Sequence, residues 1–344
     1  HVYFRHNTRL GTLAPFTSPD GLRWKLVKEA ETKNAELKKK DLVLPAVHIE
    51  PSGGLYQWDG LFYASGQNSM NATRPYHGRV TRMYRSADFV NWSQTSTLGF
   101  VRHHQHTLLG PGRSREGEQT HEGISVWNRG NVLIGISGLW HGAVEWKDVT
   151  IDLGFMISND GNHFREPAHE WTWLKRGTDG DWDQGGLLQG QGFENIGEQT
   201  FIYYGAWDPR HWQDAPPRGG IGIAVLPRDR MGDLVVETAG KGPGDYQLPE
   251  ITSEFVTHSI AVKGQPRFYV NAEGLGTEAA LRVEILNHLE QPIPAYAGEN
   301  AAWVRQSGFQ TPIEWPGRQA ISSLPERIKL RVVFEGAQNT DIRL

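Results

Sequence analysis

Glu122 stands in the stretch QTHEGISVWNRG, residues 119–130, between a histidine and a glycine and just ahead of an apolar alternation. A glutamate opening a β-strand and partly withdrawn from water keeps its proton to higher pH than a free carboxyl, so it can act as a general acid. The plainer reading is a polar strand end bonded to nearby backbone. Asp183, in DWDQGG (181–186), precedes another alternating segment and suits a hydrogen-bonding or pKa-tuning role, although the same residues also make a turn. Glu50 stands shortly before a third such segment. Asp59, within Trp58-Asp59-Gly60, reads as part of a hairpin turn.

Histidines cluster in RHHQH (102–106), with His121 and His141 further on. Closely spaced histidines can ligate a transition metal, but no carboxylate stands at a matching interval, and cysteine is absent from the chain. Neither a metal nor a cofactor is therefore expected. His103, His104 and His121 read instead as a polar lip, with His121 able to tune its neighbour Glu122. Trp58, Trp127, Trp140, Trp207 and Trp212 could offer flat faces to a ligand or fill the core. Trp140 and Trp207 closely follow second strands and so approach loops. Arg79 and Arg82 suit an anion clamp as well as a solvated strand face.

These residues need a scaffold, and the sequence repeats. SPDGLRW (18–24) returns as SADFVNW (86–92) and SNDGNHF (158–164), and more faintly around Asp229; the aspartates are 68, 72 and 69 residues apart. Such spacing marks a structural repeat. Between the motifs lie alternating segments joined by turns at Asp59-Gly60, Arg129-Gly130 and Ile196-Gly197, each a predicted hairpin. A hairpin plus a further strand pair ending in the serine-aspartate motif makes one four-stranded blade. The Asp carboxylate would accept the following N–H groups, and Trp24, Trp92 or Phe164 would pack between sheets. Aligning the hairpins on Gly60, Gly130 and Gly197 puts Ser52, Glu122 and Gln189 at one level of a central funnel.

The expected fold is all-β: a five-bladed β-propeller over residues 1–237, its first blade incomplete in this chain, then a small C-terminal β-sandwich over 250–344. The stretch TAGKGPGDYQLP (238–249) reads as a linker. A chain of 344 residues has ample core for two domains. Its net charge of -4 and lack of a basic patch give no reason to expect nucleic acid or an anionic membrane surface as partner. No apolar run approaches the roughly 18 residues of a membrane helix. Starting at His1 without a methionine, the chain is expected to have lost its true N-terminus.

The blade number, the repeat and the terminal sandwich resemble the five-bladed propeller glycosidases that include glycoside hydrolase families 32 and 43. The segment EGISVWNRGNVL (122–133) is similar to the family 43 segment whose glutamate-glycine pair carries the general acid, departing from it at Ile124, where that family has proline. The tail, with GIAVLPRD (222–229), FYVNA (268–272) and LRVEIL (281–286), resembles uncharacterised bacterial relatives of family 32. The resemblance implies hydrolysis of a plant or algal polysaccharide or oligosaccharide, with Glu122 as acid and Asp183 assisting. Glu50, Ser52, His103, His104, His121, Trp140, Gln189 and Trp207 would then contact carbohydrate. In those families the second catalytic carboxylate sits on the inner strand of the first blade, the strand expected upstream of His1.

A carbohydrate-binding propeller without catalysis is the rival, because it tolerates loss of that carboxylate. A sialidase, which the serine-aspartate motif superficially suggests, also needs an arginine triad and a tyrosine nucleophile, and these cannot be placed. The substrate implies a secreted or periplasmic bacterial protein. Oligomeric state is not legible.

Overall fold

Alternation of apolar and polar residues with turn residues at fixed intervals favours antiparallel hairpins, and hairpins are what form. In the computed structural model the described residues are 2–5, 13–26, 50–70, 78–89, 92–101, 119–141, 149–168, 171–211, 213–214, 216, 218–236, 253–317 and 321–344. They belong to two compact units, His1–Asp229 and Arg230–Leu344.

The first unit holds four sheets, each a meander in chain order. β1 (Val2–Arg5), β2 (Leu13–Thr17) and β3 (Lys25–Leu26) make the first. The second is β4 (Glu50–Trp58), β5 (Leu61–Met70), β6 (Gly78–Ser86) and β7 (Ser93–Phe100). β8 (Gln119–Asn128), β9 (Leu133–His141), β10 (Thr150–Ser158) and β11 (Thr172–Leu174) form the third. The last is β12 (Leu187–Ile196), β13 (Gln199–Trp207) and β14 (Gly219–Pro227). The β4–β5 turn has Asp59 at φ 45° and Gly60 at φ 77°, the left-handed pair that matches strand twist in a two-residue hairpin.

The serine-aspartate motif occupies the turn before the last strand in three sheets. In the third, Asp160 Oδ1 accepts the N–H groups of Asn162 and His163, both at 2.8 Å, while Ser158 Oγ accepts that of Gly161 at 3.2 Å. Asp20 does the same for Leu22 and Arg23. The residue after the aspartate is left-handed each time: Gly21 at φ 74°, Phe89 at 64° and Gly161 at 80°. The fourth occurrence differs. Asp229 is itself at φ 59°, and its carboxylate takes Asn195 Nδ2 at 2.9 Å and Arg129 at 2.7 Å instead of its own backbone.

Phe164 enters the core between sheets, in one cluster with Tyr56, Met83, Ile124 and Met156. Trp92 Nε1 donates to Phe89 O and its ring packs on Phe89, and Trp24 is 37% exposed. Tyr56 stacks on Tyr63 with ring centres 5.3 Å apart and donates its hydroxyl to Gly161 O at 2.6 Å, pinning β4 to the motif turn after β10. Burial raises that phenol well above its ordinary pKa. Each such aromatic contributes about 1.5–3 kcal/mol by leaving water.

In the second unit, β15 (Glu254–Val256), β16 (Ile260–Ala261), β18 (Ala280–Asn287), β19 (Ala302–Val304) and β21 (Arg327–Glu335) form one sheet. β17 (Phe268–Ala272) and β20 (Gly308–Ile313) form another. Leu281, Val283, Ile285, Ile328 and Trp315 lie in one core, against which Phe268 and Val270 pack. Leu234 and Leu344, both within the unit Arg230–Leu344, exchange backbone hydrogen bonds at 2.9 and 3.1 Å. The stretch 238–249 lies outside the described residues.

Candidate active site

The first strands of three sheets lose their ladder at one level. Glu50 pairs with Gln67 and Gly54 with Ser65; His121 pairs with Gly138 and Ser125 with Ile136; Gln189 pairs with Tyr204 and Phe193 with Ile202. In each case three residues face one across the ladder, an extended β-bulge. Two extra residues preserve the parity of the strand, so the inside-outside alternation resumes unchanged beyond the bulge.

Residues 122–124 fill the bulge of β8, and their freed backbone groups need partners. Side chains from three other strands supply them. Gln67 Oε1 on β5 accepts the Glu122 N–H at 3.0 Å. Ser65 Oγ accepts Ile124 N–H at 3.1 Å and donates to Ile124 O at 2.6 Å. Ser137 on β9 donates to Gly123 O at 2.8 Å, and Gln189 on β12 donates to both His121 O and Gly123 O, at 2.6 and 2.9 Å. Gln191 brackets Val126 in the same way, at 2.7 and 3.1 Å. Gly54 makes this approach possible, because a Cβ there would meet Gln191 Oε1 and Ile124 O. β4, β8 and β12 thus converge.

Glu122 is at φ 58° and Gly123 at φ 76°. Glycine takes that region freely; for a glutamate it costs on the order of 1 kcal/mol or more, and such strain is concentrated at functional positions. The Glu122 side chain is 29% exposed, and its Oε1 lies 3.8 Å from His121 Nε2. His121 is 3% exposed, stacked on Trp207 at 6.4 Å and tilted against Trp140 at 5.2 Å.

This geometry changes several expectations. His121 and Trp140 are both buried, at 3% and 5% exposure, and pack against each other beside Glu122's strand. Gln189 is not level with Glu122 but with His121 and Glu50. The offset arises because the glycine is second in the β4–β5 turn, first in the two-residue β12–β13 turn and inside a four-residue loop between β8 and β9. Pro51, Glu122 and Gly190 therefore open the three bulges. The Gln189 amide nitrogen holds the bulge, and its Oε1 has no hydrogen-bond partner among the described residues. Trp207 stays half-buried beside His121. Asp183 accepts the Tyr204 hydroxyl at 3.3 Å, and Tyr204 is the ladder partner of Gln189, which connects that loop to the clamp. Trp127 stacks on Phe193 and carries Arg129 over its ring, a structural use. For Glu50 and Ser52 only the backbone is described: Glu50 pairs with Gln67, and Ser52 lies within the β4 bulge. His103, His104 and Trp212 lie outside the described residues.

Sequence reasoning missed the clamp itself. Its signal was polar residues beside glycine in otherwise apolar second and inner strands: Ser65-Gly66-Gln67, Ser137-Gly138 and Gln189-Gly190-Gln191. It also missed Asp152 on β10, buried, with His141 Nε2 at 3.0 Å, Arg176 NH1 at 2.8 Å and the Arg176 N–H at 2.8 Å. Burial pushes the Asp152 carboxyl up, but the His141 and Arg176 hydrogen bonds outweigh it and hold it below the usual carboxylate range. No group of metal-ligating side chains occurs among the described residues.

No family model matches the chain, and no curated protein matches it. Among solved structures it is similar to a family 117 glycoside hydrolase of the marine bacterium Zobellia galactanivorans, at 10% identity and TM-score 0.38 over 54% of this chain and 53% of that one. A structure from the GH130 family, which contains glycoside hydrolases that target β-1,2 mannosidic linkages in Candida mannan, matches at 13% identity and TM-score 0.41 over 65% and 60%. The Bombyx mori GH32 β-fructofuranosidase matches at 10% identity and TM-score 0.37 over 97% and 73%. The first of these matches thus spans about half the length of its relative.

Proposed function

We propose that the chain is a glycoside hydrolase that cleaves glycosidic bonds of a plant or algal polysaccharide or oligosaccharide, with Glu122 as general acid. One observation carries the reading: a glutamate is kept in a left-handed conformation where the first strands of three sheets converge, in a bulge whose backbone is held by four side chains from neighbouring strands. Glycine would take that conformation without strain, so the glutamate is kept there at a cost. The architecture that goes with this reading is a five-bladed propeller followed by a β-sandwich.

In the reaction Glu122 would hand its proton to the leaving-group oxygen as the glycosidic bond breaks. A second carboxylate must then act on the opposite face of the sugar, about 5 Å away for retention or about 6.5–9.5 Å for inversion. Glu50 is the carboxylate whose strand position pairs with Gln67, the residue holding Glu122, and Asp183 stands in the loop ahead of β12. In this reading Asp183 tunes the acid or binds hydroxyls, and the half-buried Trp207 borders the sugar. Polymeric substrates place the protein outside the cytoplasm. Among the described residues no helix is long and apolar enough to cross a membrane.

A carbohydrate-binding unit without hydrolysis is the second reading. It is favoured by Pro51 and Gly190, which fill the slots equivalent to Glu122 and bring no carboxylate. The test compares the parent chain with Glu122→Gln on a polysaccharide panel, scoring both reducing ends and binding. Cleavage by the parent and a loss of about 100-fold or more in the variant, with binding kept, supports the acid role. Equal cleavage by both removes Glu122 from that role, and binding without cleavage by either establishes the second reading.

A further inference from the structure

The outer face of the second unit carries aromatic rings where an ordinary strand would put polar residues. Alternation on β17 turns Phe268 and Val270 toward the core and Tyr269 outward, 51% exposed, and Arg267, just ahead of the strand, is exposed as well. On β19 the buried Ala302 and Val304 flank Trp303, which is 44% exposed. Beyond β20 the same rhythm buries Ile313 and Trp315 and exposes Glu314. Tyr269, Trp303, Arg267, Gln265 and Glu314 line one cleft of about 1210 Å3.

The cleft has a fixed floor. Trp315 is buried, donates Nε1–H to Tyr296 O at 3.2 Å and meets Phe268 edge-on at 5.9 Å. Arg305 lies over the Trp303 ring, 4.8 Å from its centre, which steadies the indole. Flat apolar faces alternating with a cation, an anion and an amide suit a ligand that has apolar C–H faces and a hydroxyl rim. A purely apolar patch would instead suit another protein surface. The volume exceeds the roughly 300–1,000 Å3 typical of a small-molecule pocket, so it fits several linked rings rather than one.

We propose that this cleft is a second carbohydrate-binding site, which holds a neutral oligosaccharide stretch by stacking on Trp303 and Tyr269, by hydrogen bonds donated from Arg267 and Gln265, and by hydroxyl hydrogen bonds that Glu314 accepts. It stands on the residues of the second unit alone and does not require that the first unit be a hydrolase.

The experiment uses the full chain carrying Glu122→Gln and measures its retardation in native gels containing neutral or acidic soluble polysaccharides. At least one neutral polysaccharide is expected to retard it. Adding Trp303→Ala or Tyr269→Ala should weaken that binding at least tenfold, and Glu314→Gln severalfold, with unchanged near-ultraviolet circular dichroism showing that the unit is folded. Trp303→Phe, which keeps an aromatic face, should recover much of the loss. In a chain with Glu122 intact, Trp303→Ala should leave turnover of short soluble glycosides unchanged, so failure of the hydrolase reading and failure of this one are separable. Retardation that survives both aromatic substitutions, no retardation by any polysaccharide, or a Trp303-dependent dimer in sedimentation overturns the proposal.

Discussion

Gln67 on β5 accepts the backbone N–H of Glu122 on β8, at 3.0 Å, across a sheet boundary and 55 residues of sequence. Removing that acceptor leaves a part-buried donor unpaired. Gln67→Ala should therefore cost about 1–3 kcal/mol in urea unfolding. If Glu122 is the acid, kcat should also fall about tenfold with KM little changed, because the proton donor is no longer aimed. Gln67→Glu keeps an acceptor and should restore part of the stability, yet a second carboxylate beside Glu122 should move the acid's limb of the pH profile upward. Two variants with identical pH profiles would show that Gln67 only supports the fold.

Glu122→Asn separates stability from chemistry. Asparagine tolerates φ near 58° better than glutamate does, so the variant should unfold at equal or higher urea, by up to about 1 kcal/mol. Hydrolysis should disappear. A clear drop in stability would mean that the Glu122 side chain supports the fold.

Gly123→Ala and Gly130→Ala make a controlled pair. Both positions are left-handed, at φ 76° and 91°, but a Cβ at 123 would lie 3.1 Å from the Gly66 backbone, whereas at 130 it meets open space. Each loses about 1 kcal/mol to backbone strain. Only Gly123→Ala should lose more, and only it should disturb the bulge. Equal unfolding midpoints would show that β5 yields to the added methyl.

Asp160 gives the first unit an acid-sensitive contribution. Burial raises its carboxyl, but the His163 and Asn162 hydrogen bonds outweigh this and hold it at about 2, against 3.8 when unperturbed. The stability it adds is complete above the unfolded value and is lost as pH falls from about 4 through about 2. The carboxylate is more than half exposed, so the contribution stays below about 1 kcal/mol. Asp160→Asn should narrow the difference in melting temperature between pH 6 and pH 2.5; an unchanged difference would remove Asp160 as its source.

The hairpins were legible because alternation and turn glycines are local, and the serine-aspartate motif because its hydrogen bonds span only a few residues. Glu122 was legible as a lone acid at a strand opening. The level of its neighbours was not. Turn length differs between hairpins, so counting back from the glycines displaced Ser52 and Gln189 by one residue each. The clamp was hidden for another reason: Ser65, Gln67 and Gln189 act on a strand from another sheet, a relation that periodicity within a segment does not encode. Trp140 read as a platform because aromatic type does not reveal burial, which here comes from packing that includes the His121 ring.

An even number of additional residues at each interruption has an evolutionary consequence. Such a strand can exchange the amino acids at its kink, or gain a further pair there, without turning any core side chain toward water. Kink and core are then inherited on separate stretches of the same strand, and a lineage can try new side chains at positions 51, 122 and 190 while the interior goes on unaltered.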